Sequence, residues 1–177
     1  MIFRETGLEG AFVVEPELME DERGFFARAW CQREFEAHGL RIGWVQGNIS
    51  GNYRAGTLRG MHYQAAPHGE IKLVRCTSGS LYDVIVDLRP GSPTYLKHMS
   101  VELSSRNRKM LYIPEGVAHG FQTLEDSTEV FYLMSALYAP EYARGVRWND
   151  PVFGIQWPPA VRIISARDQN YPDYRPV

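Results

Sequence analysis

Glycine and proline cut this chain into short pieces. Sixteen glycines and eleven prolines interrupt its 177 residues, and the pieces between them are brief and apolar or alternating, as strands are. That punctuation predicts strands over Gly10–Pro16, Trp44–Ser50, Leu58–Gln64, Lys72–Cys76, Ser80–Leu88, Tyr95–Leu103, Lys109–Ile113 and Glu129–Ser135. Further strand starts follow the charged turn Asp21–Phe26 and the turn Pro114–Phe121, and Arg89–Pro93 reads as a turn. A single helix is expected over Gln32–His38, with Phe35 inward and Gly39 as its stop. After Pro140 the pattern weakens into loops and a polar tail carrying Asp168. About ten strands and one or two short helices imply an all-β fold, a sandwich or jelly roll closed into a barrel. The length favours one domain over residues 1–177, and such a barrel has an interior wide enough for a ligand.

Charge narrows the partners. The net charge is −2 with no basic block, so bulk electrostatics do not point to nucleic acid. An anion would have to be held by individually placed arginines. No apolar run is long enough for a membrane span, and Met1–Glu5 has no signal-peptide pattern. Two cysteines, Cys31 and Cys76, are too few for a disulfide scaffold. A reducing cytoplasm is the expected compartment.

The chemistry gathers on Leu58-Arg59-Gly60-Met61-His62-Tyr63-Gln64 and on Lys72, eight residues further on. Alternation puts His62 and Gln64 on one face and Tyr63 on the other. His119, at the end of a Pro-x-Gly-x-x-His spacing, is aimed at a barrel mouth from a distant strand. One reading is similar to the metal-binding cupins, with His62, Gln64, Glu70 and His119 as ligands. Against it, Lys72 would repel the cation, and an amide is a poor ligand beside histidine and carboxylate. The other reading is an enolate-forming site without metal or cofactor. His62 is then the base, Lys72 holds the oxyanion, Tyr132 on a facing strand is the acid and Asp168 orients the imidazole.

Two points stay open at this level. In a regular strand Arg59 and His62 face opposite sides, so either Gly60 opens a bulge or Arg59 acts from the rim or structurally. Gln46, Asn48 and Ser50 share one face of their strand, either as a solvent edge or as part of a site.

Taken in order, the motifs resemble the dTDP-4-dehydrorhamnose 3,5-epimerase family. They are Asp21-x-Arg23-Gly24-x-Phe26, Gln46-x-Asn48-x-Ser50, Leu58-Arg59-Gly60-x-His62-Tyr63-Gln64, Lys72-Leu73-Val74 and Asp83-Val84-x-Val86-Asp87-Leu88-Arg89. Ser92-Pro93, Ile113-Pro114-Glu115-Gly116-x-Ala118-His119-Gly120-Phe121, Trp148-Asn149-Asp150-Pro151 and Trp157-Pro158 follow. The resemblance implies a cupin-like jelly roll working as a metal-free homodimer on a nucleotide-linked 4-keto-6-deoxy sugar. His62, backed by Asp168, would abstract protons at carbons 3 and 5. Lys72 would stabilise the enolate, and Tyr132 would protonate the other face. Arg59, His119, Tyr138 and Arg167 would hold the sugar nucleotide, with Gln46 and Asn48 lining the site. Arg23 and Phe26 would reach across the dimer interface. Four positions depart from the family pattern. Arg28 and Ala143 stand where glutamates are usual, Glu70 where a glutamine is, and Leu133 where a lysine is common. The alternatives are the same chemistry on a different nucleotide sugar, a metal-dependent cupin oxygenase or isomerase, and a non-catalytic sugar-binding jelly roll.

Overall fold

Period-two alternation sorts most of the chain into two sheets packed face to face in the structure, a computed structural model that describes residues 1–41 and 43–176. In chain order the elements are β1 (Ile2–Glu5), β2 (Phe12–Glu15), β3 (Leu18–Asp21), β4 (Gly24–Ala27), α1 (Gln32–Ala37), β5 (Gln46–Asn52), β6 (Thr57–Gln64), β7 (Lys72–Ser78) and β8 (Ser80–Asp87). They continue with β9 (His98–Ser104), β10 (Met110–Ile113), β11 (Val117–Thr123), β12 (Thr128–Met134), β13 (Ala143–Gly145), β14 (Ile163–Ile164) and α2 (Ala166–Gln169). The first sheet runs β1-β2-β10-β7-β12-β5 and the second β13-β6-β11-β8-β9, with β14 parallel to β6. β3 and β4 form a separate hairpin. The result is a jelly roll.

Three apolar layers hold it together. Val74, Cys76, Leu81, Ile85, Leu111, Val117, Phe121 and Val130 fill the space between the sheets. Phe35 of α1 seals the outer face of the first sheet with Leu73, Met110 and Tyr112. The helix ends as its sequence requires: Gly39 at φ +69° and Leu40 donate to the carbonyls of Glu36 and Phe35, closing the last turn. The outer face of the second sheet, with Met61, Val84, Val86 and Ala118, is covered by Val146, Phe153, Trp157 and Tyr174 from the C-terminal segment.

That last layer corrects the sequence reading. The stretch after Pro140 is not a loose polar tail; it carries β13, β14 and α2 and straps down the second sheet. Its elements are two to four residues long, too short for periodicity to register. β1 and β3 went unseen for the same reason. Two boundaries also move. Leu96, at φ +64°, donates to Asp87 O and keeps Tyr95–Lys97 in a turn, so β9 starts at His98. β5 spans Gln46–Asn52 rather than starting at Trp44.

Candidate active site

Inward-facing positions of the two sheets change from apolar to polar at one end of the sandwich and leave a cavity of about 620 Å³. The first sheet supplies Lys72, in the same alternating row as core residues Val74 and Cys76, and Tyr132, in the row of Val130. The second sheet supplies Arg59 and His62 from β6 and His119 from β11. Tyr138, Arg167 and Asp168 complete the wall from the loop after β12 and from α2.

Arg59 and His62 reach one cavity because β6 carries an extra residue. His119 pairs with His62, but Phe121, two residues on, pairs with Arg59, three residues back. This bulge reverses the alternation across Gly60. Gly60 is required there: its φ is +131°, and a Cβ would run into Gly120 Cα and stand 2.9 Å from His119 O. Arg59 is then held by Asn52, whose Oδ1 accepts from Nε at 2.8 Å.

His62 is 42% exposed, and its Nε2 lies 2.6 Å from Oδ1 of Asp168, which is 6% exposed. Nδ1 is thereby left to the cavity. Asp168 is fixed from three sides. Its Oδ2 accepts Gly60 N–H at 3.3 Å, and its own N–H caps α2 on Ser165 Oγ at 3.1 Å. Burial alone would raise the Asp168 pKa, but the hydrogen bond and charge of His62, with Gly60 N–H and Ser165, outweigh it and hold the carboxyl below its usual value.

Lys72, with a 9% exposed side chain, donates to His62 O at 3.3 Å and pairs with Glu70 Oε1 at 2.8 Å. Tyr132 is pushed up, mainly by burial and further by the Glu70 charge, with Arg59 opposing. A raised phenol stays protonated at neutral pH, as an acid must. His119 Nε2 lies 2.8 Å from Oδ1 of Asp83, which is fully buried. Burial raises Asp83, against the charges of His119 and Lys72.

Three of the groups that could have formed a cupin-type metal set have other neighbours: Glu70 Oε1 lies 2.8 Å from Lys72 Nζ, and His119 Nε2 lies 2.8 Å from Asp83 Oδ1, although neither atom of that second pair makes a hydrogen bond among the described residues. The Gln64 amide donates to His68 O and Leu137 O and accepts from Ala139 N–H.

Not every expected residue lines the cavity. Gln46 and Asn48 sit on β5 beside Met134 and Tyr132; Gln46 donates to Asn48 Oδ1 at 3.0 Å and accepts Tyr138 N–H at 3.2 Å. Arg23 and Phe26 belong to the exposed β3–β4 hairpin, where Phe26 is 67% exposed. Arg28 is solvent-facing and pairs with Glu34 of α1 at 2.9 Å, away from the cavity. Ala143 lines the cavity, and Leu133 packs with the outer apolar layer. Sequence reasoning missed Arg144, Ser165 and Tyr171. Arg144 and Ser165 line the wall, and the Tyr171 ring stands 6.3 Å from the His62 ring and accepts from Arg167 at 2.9 Å. A signal for Ser165 was present: Ser165-x-x-Asp168 has the spacing of a helix-capping box.

Comparisons with known proteins identify the family. The sequence profile described as dTDP-4-dehydrorhamnose 3,5-epimerase matches residues 5–175. A protein of that name from Methanothermobacter thermautotrophicus is 45% identical over 177 residues, covering 98% of this chain and 94% of the relative. The crystal structure of the Elizabethkingia anophelis dTDP-4-dehydrorhamnose 3,5-epimerase superposes with a TM-score of 0.95 at 39% identity, covering 98% of this chain and 96% of that one. A 3′-monoepimerase from Streptomyces bikiniensis, solved with dTDP-quinovose, matches at a TM-score of 0.88 and 34% identity, over 95% of this chain and 85% of its own. With its cupin-like jelly roll, the chain belongs to the dTDP-4-dehydrorhamnose 3,5-epimerase family and is an isomerase of the epimerase class.

Proposed function

We propose that the protein inverts carbons 3 and 5 of a dTDP-linked 4-keto-6-deoxyglucose, a step of deoxysugar biosynthesis. One observation carries the reading: the base and the acid stand on opposite sheets, with an ammonium beside them. His62 Nδ1, backed by Asp168, takes the proton from a carbon next to the ketone. The C–H electron pair moves into the carbonyl, and the resulting enolate oxygen is held by the Lys72 ammonium. Tyr132 then gives its phenolic proton to the other face of the same carbon, which inverts it. The imidazolium and phenolate exchange protons with solvent before the second carbon reacts.

Arg59, His119, Tyr138 and Arg167 fit the phosphates and base of the carrier, as donors and as an exposed aromatic ring. Gln46 acts one step back, through its bond to Tyr138 N–H and its contact with Asn48. The exposed apolar hairpin with Met19, Phe25 and Phe26 supports a homodimer in which Arg23 and Phe26 complete the neighbouring site. Residues 1–177 act as one domain, a reading supported by the C-terminal strap that packs on the second sheet. A cytoplasmic setting fits the free thiols of Cys31 and Cys76; among the described residues no helix is long and apolar enough to cross a membrane.

The test is incubation with dTDP-4-keto-6-deoxyglucose in deuterated water, followed by NMR at each carbon. Deuterium at carbons 3 and 5 with an inverted product is expected. No incorporation at either carbon overturns the proposal.

A further inference from the structure

Tyr171 has no part in the proton-transfer scheme, yet it is wedged between two groups of the site. Its half-buried ring lies against the backbone of Gly145, where a Cβ would run into the ring and stand 2.6 Å from the hydroxyl oxygen. Gly145 is paired with His62 across β13 and β6, and the same ring meets the His62 ring edge-on, with centroids 6.3 Å apart. Tyr171 is therefore a fixed post on the β6–β13 pair. Its hydroxyl accepts from Arg167 Nε at 2.9 Å. Arg167 is exposed and lines the cavity. The groups acting most strongly on its charge are phenols, Tyr171 first and Tyr138 after it, rather than carboxylates. A guanidinium carries five N–H groups, so amino N–H groups remain for an occupant of the cavity.

We infer that Tyr171 is a positioning residue whose hydroxyl fixes the Arg167 guanidinium so that its amino groups meet the diphosphate of the substrate. The inference rests on the epimerase reading above, which supplies the nucleoside diphosphate. Arginine suits phosphate oxygens because its N–H donors come in parallel pairs. Left alone, an exposed arginine samples many rotamers and gives up that freedom on binding. A neutral phenol at Nε holds the side chain without neutralising it, whereas a carboxylate there would compete with the phosphates. The backbone that carries the arginine is fixed as well. Asp168, the next residue, is bonded to Gly60 N–H through its side chain and to Ser165 Oγ through its own N–H. One turn thus serves both halves of the site, Asp168 toward the imidazole and Arg167 toward the carrier.

The experiment is calorimetry with dTDP and with thymidine on wild type, Tyr171→Phe, Arg167→Ala and the double variant. Phenylalanine keeps the ring on Gly145 and against His62 and removes the hydroxyl alone. Tyr171→Phe is expected to weaken dTDP binding about three- to tenfold, the scale of ordering one long side chain, and thymidine binding less than about twofold. Without Arg167 the hydroxyl has nothing to position, so adding Tyr171→Phe to Arg167→Ala should change dTDP affinity by less than about twofold. In turnover of dTDP-4-keto-6-deoxyglucose the loss should appear in KM, with kcat within about twofold of wild type. Four results each overturn the inference while the epimerase reading stands: unchanged dTDP affinity in either single variant, equal weakening of thymidine, an undiminished effect of Tyr171→Phe without Arg167, or a loss in kcat at constant KM, which would mean that the phenol acts through His62. Absence of deuterium exchange by wild type overturns the epimerase reading, and the dTDP and thymidine measurements still decide the inference.

Discussion

Asp168→Asn tests the base with little change of shape. The cap on α2 uses the Asp168 backbone N–H and survives. The side chain has two neighbours with fixed demands: Gly60 N–H, 3.3 Å from Oδ2, needs an acceptor, and His62 Nε2 stands 2.6 Å from Oδ1. An amide meets the first demand by turning its oxygen to Gly60, which aims its NH₂ at Nε2. Nε2 must then accept, so the imidazole proton moves to Nδ1, the nitrogen facing the substrate. The opposite flip sets NH₂ against Gly60 N–H, donor to donor. Either way the base is disabled or its anchor is strained. A base locked in the wrong tautomer costs about 10⁴-fold in kcat, against about 10²- to 10⁴-fold for general-base work overall. Stopped NMR assays of exchange at carbons 3 and 5 should therefore show a loss of at least about 10³-fold at both, with near-unchanged KM. A variant within threefold of wild type at either carbon refutes the orienting role of Asp168.

Tyr132→Phe should cut net inversion by about 10²- to 10⁴-fold while deuterium still enters on the original face, seen as label in unreacted substrate; loss of both together would make Tyr132 structural. Gly60→Ala forces a Cβ against the β11 backbone and should lower stability by at least about 2 kcal/mol, read as a Tm about 4 °C or more below wild type, with exchange activity lost as the bulge shifts. Asp87, fully buried, would be raised by burial alone, but hydrogen bonds from Arg89, Ser92 and Thr94 hold it at about 2. Because its folded pKa is depressed, it stabilises above the unfolded value of about 4, by roughly 2–3 kcal/mol, and that contribution disappears as pH falls from about 4 to about 2. Urea midpoints for Asp87→Asn should sit well below wild type at pH 7 and converge toward it near pH 2; a constant gap would contradict the linkage.

The strands that build the cavity were legible because they are long and alternate cleanly. Lys72 follows the parity of Val74 and Cys76, and Tyr132 that of Val130, so their common direction could be read before any coordinates. Arg59 could not be placed that way. One extra residue in β6 reverses its parity, and only Gly60 hinted at it. Asp168 was foreseen as a partner of His62 through chemistry and resemblance, but its position depends on β14, α2 and the strap of Phe153, Trp157 and Tyr174. Those contacts are long-range and leave no periodic trace. The Glu70–Lys72 pair follows the same parity, since residues two apart share a face, and it was passed over because Glu70 lies just outside the predicted strand.

The central claim is that one imidazole starts the reaction at both carbons. Its most direct test is deuterium entry into dTDP-4-keto-6-deoxyglucose, followed by NMR, with His62→Ala beside wild type. The account predicts that the variant, folded with an unchanged circular dichroism spectrum, loses incorporation at carbon 3 and at carbon 5 alike, by about 10²-fold or more. Incorporation at either carbon near the wild-type rate would show that another group removes that proton, and would contradict the account.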